Sequence, residues 1–160
     1  MICCEKSVEL ASKGCEALIE SNDYIEAIGL LSKAIEVKAN DYRFYANRSL
    51  AFYRMGRYGL ALKDSQMAVQ LNAKCAANYV RKASALNALG RYTEAEVSAN
   101  TALKLDSRSR LAAYELLLSR KMAFISMGFD KEDVMAMIVN CRSITHGLQK
   151  LAKLIQTKDF

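Results

Sequence analysis

One short motif returns at a fixed distance along this chain of 160 residues, and that period restricts the fold more than any other feature. Asp23-Tyr24-Ile25-Glu26-Ala27 recurs as Arg57-Tyr58-Gly59-Leu60-Ala61 and again as Arg91-Tyr92-Thr93-Glu94-Ala95. The tyrosines at 24, 58 and 92 set a period of 34 residues. Ala34, Ala68 and Ala102 keep the same register, as do the glycines Gly56 and Gly90, with Asn22 in the matching place of the first unit. Coincident tracks at one period define internal repeats, and a repeat of this length is one supersecondary unit that must stack on its neighbours.

Each unit divides into two amphipathic segments around the turn. Before the turn of the second unit runs Phe44-Tyr45-Ala46-Asn47-Arg48-Ser49-Leu50-Ala51-Phe52-Tyr53. After that of the first, Ala27, Leu31, Ala34 and Ile35 fall on one helical face. Recurring alanines let two helix backbones approach closely. Glycine or asparagine at the turn permits the left-handed backbone that ends a helix. The tyrosine after the turn wedges against the preceding helix.

Composition agrees. The chain has no proline, where ordinary usage predicts about eight, and only seven glycines. Little punctuation remains for loops, and an all-β architecture lacks its turn residues. A hydrophobic fraction of 52% with a net charge of only +6 excludes disorder. The expectation is all-α.

At these residues the sequence resembles the tetratricopeptide repeat family. The family's Ala-x3-Phe element survives as Ala27-x3-Leu31, Ala61-x3-Ser65 and Ala95-x3-Ala99, so only its alanine is kept. Its opening Trp-x2-Leu-Gly-x2-Tyr element is loosely matched by Tyr45-x2-Arg48-Ser49-x2-Phe52 and Tyr79-x2-Lys82-Ala83-x2-Leu86. Ala39, Ala73 and Ser107 stand where the family closes with proline, which implies second helices running smoothly into the next connection. The first unit is one residue longer between Gly14 and Tyr24. The resemblance implies a right-handed superhelix of three helical hairpins, at about 7–40, 41–74 and 75–108, with capping helices in residues 109–160. It also implies a concave face, lined by the first helix of each unit, that binds peptides.

Part of that family holds the acidic Glu-Glu-Val-Asp tails of heat-shock chaperones in a clamp of two lysines, two asparagines and an arginine. Tyr45-Ala46-Asn47-Arg48-Ser49 and Tyr79-Val80-Arg81-Lys82-Ala83 resemble this subset, and Asn47 and Arg81 match the clamp. Its other three positions hold Ala11, Cys15 and Ala77, so both lysines are lost. A carboxylate leaving water needs charge-assisted donors, each contributing about 1.5–3 kcal/mol. The chaperone tail is therefore the weaker expectation. Arg43 and Arg54 partly substitute, and Leu50 and Ser84 share the groove, which favours a ligand with an apolar anchor and some acidic character. Asn47 has a second reading, satisfying backbone groups between adjacent helices, and Arg81 likewise at a helix end or carboxylate.

Residues 81–160 hold thirteen Lys/Arg and eight Asp/Glu, against ten and nine in residues 1–80. No run of four basic residues or interleaved aromatics accompanies this, so a solvated basic face is preferred to a nucleic-acid surface. Five cysteines without a C-x-x-C pair and a single histidine, His146, lack zinc spacing, and reduced buried thiols are expected. Glu5, Lys6 and Glu9 interrupt any signal-peptide core, and no stretch approaches the length of a membrane span. A cytoplasmic or nuclear location follows. No phosphate-binding glycine loop, nucleophile elbow or metal cluster is legible, so neither catalysis nor a cofactor is expected.

The last third reads separately. Residues 111–127 are apolar nearly all round, which predicts a helix buried on more than one side and packed on the third unit. Met127-Gly128-Phe129 echoes Met55-Gly56-Arg57 and opens either a degenerate fourth hairpin or a bundle resembling a ubiquitin-associated domain. Segments Lys131–Cys141 and Ile144–Gln156 read as helices. The leading expectation is an adaptor that recruits a protein through its groove. Nucleic-acid binding by the basic half and dimerisation through the C-terminal helices are the alternatives.

Overall fold

The computed structural model describes residues 2–129 and Val134. Among them there are seven helices and no strand: α1 (Ile2–Ile19), α2 (Tyr24–Val37), α3 (Tyr42–Arg54), α4 (Tyr58–Leu71), α5 (Ala76–Ala88), α6 (Tyr92–Leu105) and α7 (Arg110–Ser126). α1 packs on α2, α3 on α4 and α5 on α6, and each pair stacks on the next. The odd-numbered helices touch one another in order, α1 to α3, α3 to α5 and α5 to α7, so they form one layer. No described helix is long and apolar enough to cross a membrane.

The turns follow the sequence pattern closely. Gly56, Gly90 and Gly128 take φ of 72, 74 and 90°, and Asn22 is the one non-glycine described residue with positive φ, at 53°. The Gly56 N–H donates to Tyr53 O at 3.0 Å and the Arg57 N–H to Phe52 O at 2.9 Å. The same pair of bonds closes α5 from Gly90 and Arg91, and α7 from Gly128 and Phe129. This arrangement satisfies helix-end carbonyls that otherwise lack partners. The extra residue of the first unit widens the end of α1. There the Ser21 N–H reaches Glu16 O at 3.5 Å and the Asp23 N–H reaches Ala17 O at 2.9 Å, one residue further back than in the later units.

Packing explains the small residues. Ala27, Ala61, Ala95, Ala34, Ala68 and Ala102 are all fully buried where paired helices cross. A Cβ on Gly14 would lie 3.0 Å from Leu31 Cγ. Ser49 donates its buried hydroxyl to Ala61 O at 2.8 Å, joining α3 to α4. The core is a string of small clusters, one joined to the next, as expected when each repeat contacts only its neighbours.

Two expectations need correction. The second helices do not run smoothly onward: Lys38, Asn72 and Asp106 leave the helix in extended conformations, with φ of −147, −147 and −140°. The break is made without proline, and two of the three helices that follow carry side-chain caps, while Cys75 gives α5 none. Asp41 accepts from the Arg43 N–H and Ser109 from the Ala112 N–H, each closing a helix N-terminus.

Nor is α7 buried all round. It packs on α5 and α6 through Ala112, Glu115, Ser119 and Ala123, while Leu111, Tyr114 and Leu117 are exposed. Close helix approach selects small side chains, so the contact face of α7 is less apolar than its outer face. At its end Phe124 is buried with Val134 and meets Phe129 edge to face at 6.1 Å. The segments at 131–141 and 144–156, His146, Cys141 and the choice between hairpin and ubiquitin-associated bundle lie outside the described residues.

Candidate peptide-binding groove

Two cavities open on the odd-helix layer. One, of about 180 Å³, lies between α1 and α3 against Val8, Ala11, Ser12, Cys15, Arg43, Phe44 and Asn47. The other, of about 400 Å³, is walled by Ser49, Leu50, Tyr53 and Arg54 of α3, Val80, Arg81 and Ser84 of α5, and Leu111 and Glu115 of α7. The nine candidate residues therefore divide. Ala11, Cys15, Arg43 and Asn47 share the smaller cavity, and Leu50, Arg54, Arg81 and Ser84 the larger. Ala77 is exposed on α5 and lines neither.

Asn47 does not satisfy backbone groups. Its Nδ2 donates to Cys15 Sγ at 2.9 Å, tying α3 to α1. Burial pushes the Cys15 thiol above its ordinary pKa, and the Asn47 hydrogen bond and the Arg81 charge only partly oppose this. A neutral thiol thus occupies a position where the clamp would place a second asparagine.

Arg43 is not a free substitute for a lost lysine. Its Nε and Nη2 donate to Asp41 Oδ1 and Oδ2 at 2.9 and 2.6 Å. That hydrogen bonding holds the Asp41 carboxyl below the usual range, against the opposing effect of burial. Arg43 presents to the cavity a charge already compensated by its neighbour.

Arg81 differs. Its Nε is buried and finds no acceptor among the described residues. Burial lowers its pKa, yet a guanidinium stays protonated in any protein environment. A buried guanidinium N–H without an acceptor is costly to the fold. Arg54, by contrast, is exposed at the cavity mouth.

Across the cavity, α7 contributes a residue that the sequence reading did not single out, although it stands 34 residues after Arg81. Glu115 is 8% exposed and accepts from Ser84 Oγ at 2.5 Å and Asn87 Nδ2 at 2.8 Å. Burial, and then the Glu115 charge, raise the pKa of Tyr53, which also lines the cavity. Tyr53 was legible from its three-residue spacing from Leu50 on α3, and Ser49 from its four-residue spacing from Tyr53. Glu115 carried a signal as well, standing 34 residues after Arg81 as Arg81 stands after Asn47, but the period does not show that its carboxylate meets Ser84.

The described residues contain no group of three His, Cys, Asp or Glu side chains able to hold a metal.

Comparison with known proteins agrees with this architecture. Residues 76–109 match the tetratricopeptide repeat model. A STIP1 homolog from Dictyostelium discoideum is 34% identical over 102 residues, 64% of this chain and 18% of that protein. The chain thus spans less than a fifth of that relative. Among solved structures, the Arabidopsis OM64 TPR domain superposes with a TM-score of 0.72 at 26% identity, covering 74% of this chain and 98% of that one. The first TPR of Spaghetti (RPAP3), bound to the HSP90 peptide SRMEEVD, has a TM-score of 0.71 at 27% identity, covering 77% and 94%. Residues 76–109 thus carry a tetratricopeptide repeat, and the helical layers share the fold of these TPR domains.

Proposed function

We propose that this chain is a non-enzymatic adaptor that binds a peptide segment of a partner protein along the odd-helix layer. On this reading residues 7–40, 41–74 and 75–108 are its repeats, and the segment from 109 onward closes the end of the groove. The observation that carries the proposal is the buried Arg81 Nε without an acceptor, at the wall of a cavity whose other side chains include Leu50, Val80 and Leu111. A ligand carboxylate would complete the guanidinium, and an apolar side chain would fill the space beside it.

The likeness to the Spaghetti domain supports a peptide as the occupant, since that domain is bound to an HSP90 peptide. A chaperone tail is the second reading. It is weakened here because Ala11, Cys15 and Ala77 stand at three of the five clamp positions, so both lysines are lost.

A peptide array of C-terminal and internal segments, probed with wild-type protein and with Arg81→Met, tests the proposal. Signals that depend on Arg81 should concentrate on peptides with a carboxylate near an apolar residue. A pattern indifferent to Arg81→Met would overturn it.

A further inference from the structure

We infer that Glu115 is a specificity residue, making the groove accept a single carboxylate beside an apolar side chain and reject runs of acidic residues. The inference rests on the adaptor reading above and adds the class of ligand.

Arg81 and Glu115 line the same cavity without forming an ion pair. Only the carboxylate is fixed by its surroundings. The Glu115 carboxylate is fixed by Ser84 and Asn87, while the Arg81 Nε has no acceptor among the described residues. Asn87 is itself fixed, since the same amide also donates to the backbone oxygen of Glu115 at 3.2 Å. The negative charge therefore cannot swing away when a ligand enters. The cavity offers one half-buried cation whose Nε is buried, one buried anion and the exposed Arg54. The first ligand carboxylate meets Arg81. A second, on an adjacent residue, is brought into a poorly hydrated space beside Glu115, where like charges repel strongly. No lysine offsets that repulsion at Ala11, Cys15 or Ala77, and Arg43 is paired with Asp41.

The test uses the full chain and two fluorescently labelled peptides with amidated C-termini, SRMEEVD and its counterpart with both glutamates replaced by glutamine, which keeps the single aspartate carboxylate beside valine. Wild-type protein should bind the counterpart about tenfold more tightly. Glu115→Gln, which keeps the side chain's shape, should strengthen SRMEEVD binding by about tenfold and leave the counterpart within about twofold. A wild-type preference for SRMEEVD, no binding of either peptide, or an unchanged ratio in the variant overturns the inference. If Glu115→Gln does not fold, the comparison of the two peptides on wild-type protein still decides. Arg81→Met separates the two readings. Loss of binding with no preference between peptides leaves the adaptor standing and removes the role of Glu115, whereas binding unaffected by Arg81→Met removes both.

Discussion

The Arg48 guanidinium forks onto the Asp64 carboxylate, Nε to Oδ2 at 2.7 Å and Nη2 to Oδ1 at 2.9 Å, while its Nη1 donates to Ser32 Oγ at 2.9 Å. One side chain of α3 thus joins α2 of the first hairpin to α4 of the second. Tyr45 and Phe52 flank the guanidinium, with ring centroids 5.8 and 5.9 Å away. The pair is largely shielded, at 20% and 6% side-chain exposure. Removing one partner leaves the other as an uncompensated buried charge. Asp64→Asn is expected to lower unfolding free energy by about 3 kcal/mol, measured by urea denaturation. A loss below about 0.5 kcal/mol would place the pair in the class of weak surface bridges.

Two glycine-to-alanine changes should have opposite signs. Gly29 is within α2 and nothing lies within 4 Å of a Cβ built there. Gly29→Ala should stabilise by about 0.5–1 kcal/mol through helix propensity. Gly14 sits in α1 against Leu31 Cγ at 3.0 Å and Ala27 O at 3.4 Å. Leu31 is fully buried, so it has nowhere to yield, and Gly14→Ala should cost about 1–3 kcal/mol by overpacking. Thermal melts of both variants under one set of conditions compare them directly.

Asp41 predicts a pH dependence. Its folded pKa is depressed, chiefly by the Arg43 hydrogen bonds, so the folded state holds the proton less tightly than the unfolded chain does. The stabilisation is therefore complete above the ordinary carboxylate range and disappears as pH falls through the lowered value. Asp41→Asn, which can still cap α3, should be less stable than wild type at neutral pH by under about 1 kcal/mol, because Arg43 is well exposed. The two proteins should converge below the carboxylate range. Denaturation series across that range follow the gap, and one that stays constant with pH would exclude this origin.

Arg81→Met is expected to stabilise the fold and remove its ligand binding together. Replacing a half-buried cation whose Nε lacks an acceptor with an apolar side chain should raise unfolding free energy by about 1–2 kcal/mol. Peptides selected on the array should lose at least about tenfold in affinity, as for a charge-assisted hydrogen bond. Stability and binding moving in opposite directions would identify Arg81 as a residue kept for its ligand. A destabilised variant would show instead that the guanidinium supports the fold.

Much of the fold was legible because repeats impose local rules. Asn22, Gly56 and Gly90 sit where a left-handed residue must end a helix, and their positive φ values follow from that requirement. The buried alanines follow from the close approach of paired helices. The groove was legible only in part. Leu50, Arg54, Arg81 and Ser84 fall together because the first helices stack at one period. The pairing of Arg43 with Asp41 was missed, although an aspartate capping the helix two residues before an arginine was its signal.

What the sequence determined by itself is the periodic part: two helices per unit, the turns between them and the small residues that let them pack. These depend on spacing along the chain, and spacing is written in the residues. The tertiary structure alone decided which charges meet. Arg48 found Asp64, Glu115 found Ser84 and Asn87, and the Arg81 Nε was left with no acceptor among the described residues. Those outcomes depend on which side chains neighbouring helices bring within reach. Distances of a few ångströms across a layer of helices are not recorded in a period of 34.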